Sequence, residues 1–120
     1  MTISPLFIGA NATAAVAIQP RMANRHGLIA GATGTGKTIT LQVLAQAFSQ
    51  QGVPVLVPDI KGDFSGIANP GVVSEKLQQR AQRVGIEALE PKGAPAVFWD
   101  VYGEKGHPLR LTISELGPQL

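Results

Sequence analysis

The chain has 120 residues, 44% of them hydrophobic and 15% charged, enough for one small domain with a core and against global disorder. Ten basic residues against eight acidic ones leave a net charge of +2, too small an excess to argue nucleic-acid binding from charge. The absence of cysteine excludes a disulfide framework, a thiolate zinc site and a cysteine nucleophile.

The elements follow in chain order. Residues 14–18 (AAVAI) read as a short strand closed by Pro20, and residues 21–25 as a loop. Residues 26–30 (HGLIA) form an apolar run that ends abruptly in glycine, as a buried parallel strand does. Residues 37–51 carry Leu41, Leu44, Ala45 and Phe48 at helical spacing, with Gln42, Gln46, Ser49 and Gln50 on the polar side and Gly52 as a stop. Residues 53–57 (VPVLV) read as a second strand, with Pro54 near its start. Residues 59–71 are loop-like. Residues 72–84 predict a second helix with Val73, Leu77, Ala81 and Val84 as its stripe and Gly85 as its stop. Residues 96–102 (AVFWDVY) and 109–113 have strand character, and Ser114-Glu115 opens a further helix. Strand, helix, strand, helix, strand is the pattern of a three-layer α/β fold with a mainly parallel sheet. No run approaches the roughly 18 apolar residues of a membrane span, and no basic region precedes the N-terminal apolar residues. The expectation is a cytoplasmic protein without a membrane partner.

Residues 31–38 read GATGTGKT and match G-x-x-x-x-G-K-[ST], a phosphate-binding loop. Gly31, Ala32, Thr33, Gly34, Thr35 and Gly36 would curl so that successive backbone N–H groups face one point. The helix opening at Lys37 adds unpaired N–H groups and the positive end of its dipole. Lys37 brings a mobile charge to the β- and γ-phosphates, and the hydroxyl of Thr38 suits Mg²⁺. A nucleoside triphosphate, ATP or GTP, and Mg²⁺ are therefore the expected ligands, with Lys37 and Thr38 in the catalytic roles.

The acidic partner is less defined. Asp59 follows the apolar run at 53–57, and Asp100 follows Ala96-Val-Phe-Trp; neither is followed by glutamate. Asp59 has the better location, because strand C-terminal ends face the ligand in such sheets. A turn-forming role competes for Asp59, and a solvent-facing or turn-capping role for Asp100. Lys61 and Asp63 share the loop after Asp59 and read equally as nucleotide contacts or as a solvated turn. Lys76, Arg80 and Arg83 lie on one flank of the second helix and read as a solvated face in preference to a set of nucleic-acid phosphate contacts. His26 and His107 lack metal-ligand spacing, and Phe98 and Trp99 read as core or sheet-face residues.

The segment HGLIAGATGTGKT at 26–38 closely resembles the phosphate loop of the HerA–FtsK superfamily of ATPases, and VPDIKGD at 57–63 is similar to its post-strand segment. FWDVYGEKGHPLR at 98–110 and TISELGP at 112–118 resemble bacterial HerA-helicase-like proteins of the YjgR type. The resemblance implies a RecA-like P-loop NTPase fold, ATP rather than GTP as the nucleotide, a ring that is usually hexameric, and DNA translocation or unwinding. It implies that residues 1–120 are the N-terminal part of one ATPase domain: 1–25 a leading strand and loop, 26–120 an incomplete nucleotide-binding core. The main Mg²⁺ carboxylate, the catalytic glutamate and the arginine finger would then lie beyond residue 120, with Asp59 and Lys61 as accessory residues. Residues 1–120 alone are expected to be inactive. Two alternatives remain open. A small nucleotide kinase or GTPase would use Asp59 for Mg²⁺, although the chain has no N-K-x-D motif and no basic lid. A non-hydrolysing nucleotide-binding module would regulate a partner.

Overall fold

A computed structural model of the protein describes residues 4–86 and 88–110. The chain opens with a hairpin of β1 (Leu6–Ala10) and β2 (Ala15–Ile18), paired antiparallel from Leu6↔Ile18 to Ala10↔Ala15, with an irregularity between Phe7 and Gly9. Asn11 makes the turn. Its side-chain oxygen accepts from the N–H of Thr13 (2.9 Å), the N–H of Ala14 (2.8 Å) and the Thr13 hydroxyl (3.0 Å). An Asx side chain that binds backbone two residues on substitutes for a turn of main chain. A single 3-10 turn, Pro20–Met22, follows β2.

Helix α1 (Lys37–Gln50) lies where the apolar periodicity puts it. It ends as the position of Gly52 requires. Gly52 takes φ +77°, its N–H donates to Ser49 O (2.9 Å), and Val53 N–H donates to Phe48 O (3.1 Å). This double closure consumes carbonyls that the helix leaves open. Helix α2 (Glu75–Arg83) ends identically: Gly85 (φ +79°) donates to Gln82 O and Ile86 to Ala81 O. It begins three residues later than the expected start at residue 72. Ser74 is extended, and its hydroxyl accepts from Leu77 N–H at 3.3 Å, so Ser74 is the cap and Val72 and Val73 precede the helix.

Helix α1 packs on β1, where Leu6 (2% exposed) and Ala45 are buried. Phe64 and Ala81 are the other buried apolar residues among those described. Three glutamines of the helix and its C-terminal cap reach neighbouring main chain. Gln42 donates to Asp63 O (3.3 Å), Gln46 to Lys92 O (2.8 Å), and Gln51 to Ser4 O (2.8 Å). The segment at 92–94 also touches a second 3-10 turn, Ser65–Ala68, through Ala94 N–H on Ile67 O (2.8 Å).

The runs at 26–30 and 53–57, expected as parallel strands, carry no ladder among the described residues. Parallel pairing draws on segments distant in sequence, and no described segment pairs with either run. Leu28 (89% exposed) and Leu56 (88%) are correspondingly open. The strand expected at 96–102 shrinks to β3 (Trp99–Asp100), which pairs in parallel with β4 (His107–Pro108). Leu109 and Arg110 form no strand, and the rest of the element expected at 109–113 lies outside the described residues, as does the helix expected from Ser114. Among the described residues no helix is long and apolar enough to cross a membrane.

Candidate functional site: a glycine loop at the start of α1

Residues 31–36 lead directly into α1. Gly34 (φ +80°) and Gly36 (φ +94°) both take left-handed conformations, and Gly36 is the N-terminal cap residue of the helix. Any other residue would strain the backbone at these two positions. No side chain caps the helix, and its first turn holds no acidic residue. The N–H groups at its start are thus left to whatever approaches.

The Ala32 carbonyl organises the loop from within. It accepts from the Thr35 hydroxyl (2.7 Å), from the Lys37 ammonium (2.7 Å) and more weakly from Thr35 N–H (3.4 Å). Lys37 therefore lies folded over its own loop. Thr40 N–H and hydroxyl both reach Gly36 O, at 2.9 and 3.1 Å.

Thr38 faces a cleft of about 250 Å³. Leu41, Asp59, Lys61, Asp63 and the buried Phe64 also line it. The structure thus places Asp59 and Lys61 on the same cleft as Thr38. Asp59 itself is occupied by its loop: Oδ1 accepts from Gly62 N–H (2.9 Å) and Oδ2 from Phe64 N–H (2.8 Å). Gln42 holds the same loop to α1 through Asp63 O. The part played by Gln42 and Phe64 is not apparent from motif reading. The available signal is that Gln42 stands four residues after Thr38, on the same side of the helix.

Asp100 is not part of this cleft. Its Oδ2 accepts from Glu104 N–H (2.8 Å) and Lys105 N–H (2.9 Å), and its Oδ1 from Tyr102 N–H (2.9 Å). The Lys105 N–H, followed by that of Tyr102, holds the Asp100 carboxyl below its ordinary pKa. It is a turn-capping carboxylate. Trp99 is 62% exposed rather than part of a core, because a two-residue ladder gives it nothing to pack beneath; its ring meets His107 at a centroid distance of 5.8 Å. His26 is exposed, and among the described residues no group of three or more His, Asp or Glu side chains gathers as a metal cluster.

The donor set of residues 31–38 is cationic and rich in N–H, and suits an anion; the oxygens of Thr38 and the Asp59 loop suit a hard cation beside it. A glycine loop thus feeds the helix N-terminus, with a lysine and a threonine hydroxyl as the first two helical residues. The chain matches the family described as Helicase HerA-like C-terminal over residues 6–120, and belongs to it. Membership sets the whole protein among helicase-type ATPases. No curated protein and no solved structure matches the chain.

Proposed function

We propose that residues 31–38 bind the triphosphate of Mg-ATP and that the complete protein hydrolyses it as a HerA-like ATPase of the YjgR type acting on DNA. In this reading residues 26–120 belong to a RecA-like P-loop core of three layers. The full protein assembles as a ring, and DNA is its polymer partner. The single observation that carries the reading is the GATGTGKT spacing at the uncapped start of α1.

Each residue has a role that its chemistry supports. The N–H groups of Gly34, Thr35 and Gly36 surround the β-phosphate, with Gly31, Ala32 and Thr33 forming the rest of the curl. Lys37 turns from the Ala32 carbonyl to the γ-phosphate, exchanging a neutral acceptor for a charged one. The Thr38 hydroxyl holds Mg²⁺, with Asp59 and Lys61 beside it as accessory groups. When bound, Mg-ATP supplies the phosphoryl group whose transfer to water drives the helicase cycle.

The test is equilibrium binding of a fluorescent ATP analogue with Mg²⁺ to the wild-type chain and to Lys37→Ala, both shown by circular dichroism to be folded. Loss of binding in the variant is expected. Equal affinity in a folded Lys37→Ala protein would remove the site from residues 31–38.

A further inference from the structure

Gly31 is not in a left-handed conformation, yet it has no room for a side chain. A Cβ at this position would meet the Thr35 hydroxyl at 2.6 Å. The obstacle is a single side-chain atom. The next nearest atoms, Thr35 Cβ and Lys37 Cγ, would be at 3.6 and 3.7 Å, which is ordinary contact.

The Thr35 hydroxyl cannot give way freely. It donates to the Ala32 carbonyl at 2.7 Å, and turning χ1 to clear position 31 breaks that bond. The same carbonyl also receives the Lys37 ammonium. If Lys37 turns toward a phosphate, the Thr35 hydroxyl is the strong donor that keeps Ala32 satisfied; the remaining one, Thr35 N–H, is 3.4 Å away.

We infer that the Thr35 side chain is a positioning residue of the phosphate loop. Its hydroxyl holds the Ala32 carbonyl and frees Lys37, and the space it occupies is what restricts position 31 to glycine. This deepens the proposed nucleotide role and rests on it for its effect on binding. The coupling of positions 31 and 35 is a property of the free loop and can be read without a ligand.

Two consequences follow for variants. Thr35→Val keeps the shape and removes the hydroxyl, so affinity for the fluorescent ATP analogue falls about fivefold, the size of one ordinary hydrogen bond. Thr35→Ser keeps the hydroxyl and recovers most of that loss. Gly31→Ala acts by driving the Thr35 hydroxyl from Ala32, so it fails in the same way as Thr35→Ala. The double variant Gly31→Ala/Thr35→Ala should be no weaker than either single one, because the clash and the bond have gone together.

The experiment is this double-mutant cycle, read both as ATP-analogue affinity and as thermal midpoint of the ligand-free protein. Non-additivity in both supports the inference. Additive losses, or Thr35→Ser behaving as Thr35→Val, overturn it. If the wild-type chain binds no analogue, the proposed function fails while the thermal cycle still decides the coupling: additive midpoints overturn it and non-additive midpoints uphold it.

Discussion

Two loops of this chain open on an aspartate that ends an apolar run, and both aspartates fold the following residues around their carboxylate. Asp59 gathers the N–H groups of Gly62 and Phe64. Asp100 gathers those of Tyr102, Glu104 and Lys105. The difference lies beneath them. The first loop also sinks Phe64 to 8% exposure, beside α1 and the Thr38 cleft, and Gln42 ties it to the helix. The second buries no residue at all among the described positions 88–110, and Tyr102 is 87% exposed. The same capping chemistry thus supports a loop joined to the body of the protein and a loop that holds mainly itself. Hydrogen bonds to a carboxylate shape a loop, and burial decides what the loop is attached to.

Substitutions can break this comparison. The largest effect is expected at Phe64. Truncation to alanine should destabilise the protein by about 3 kcal/mol in urea unfolding, while Tyr102→Ala leaves the midpoint unchanged. A small loss at Phe64 would mean that burial does not anchor the first loop. A smaller effect is expected for Asp59→Ala, about 1 to 2 kcal/mol for the two N–H groups left without their acceptor. Hydrogen exchange should locate the change at Gly62 and Phe64; protection unaltered there would show that Asp59 does not shape the loop.

The smallest effect is local and depends on acid. The Asp100 carboxyl is held below its ordinary value in the fold, so its contribution is complete above the unfolded-state value of about 3.9. That contribution is lost as pH falls through the lowered folded value. Trp99 is the single tryptophan of the chain and adjoins Asp100, so its fluorescence should report the opening of this loop below about pH 4. Asp100→Asn should abolish the acid step in emission. An unchanged step in the variant would assign it to another carboxyl.

The elements legible in the sequence were those with local causes. Helix α1 follows from Leu41, Leu44, Ala45 and Phe48 on one face, and its end from Gly52. The start of α2 was legible too, in Ser74-Glu75, but the apolar stripe from Val73 drew the boundary too early. Strand β1 is not among the elements expected from the sequence, although Asn11-Ala12-Thr13 between two apolar runs carries the turn chemistry that pairs it with β2. The runs at 26–30 and 53–57 show the opposite case: their composition suits strands, but a ladder needs partners that local composition cannot supply. At the site, GATGTGKT announced the loop. The hydroxyl of Thr35 on Ala32, and Gln42 on the Asp59 loop, depend on side-chain direction after folding, which no spacing rule contains.

Helix α1 carries one charge, on Lys37 at its first residue, and the glutamines that fasten the helix and its cap are uncharged at every pH. These fastenings are therefore indifferent to ionic strength and to titration. They also grip carbonyls rather than side chains, at Ser4, Asp63 and Lys92. The identity of those three residues is free to drift through evolution while the helix that follows the glycine loop stays moored in place.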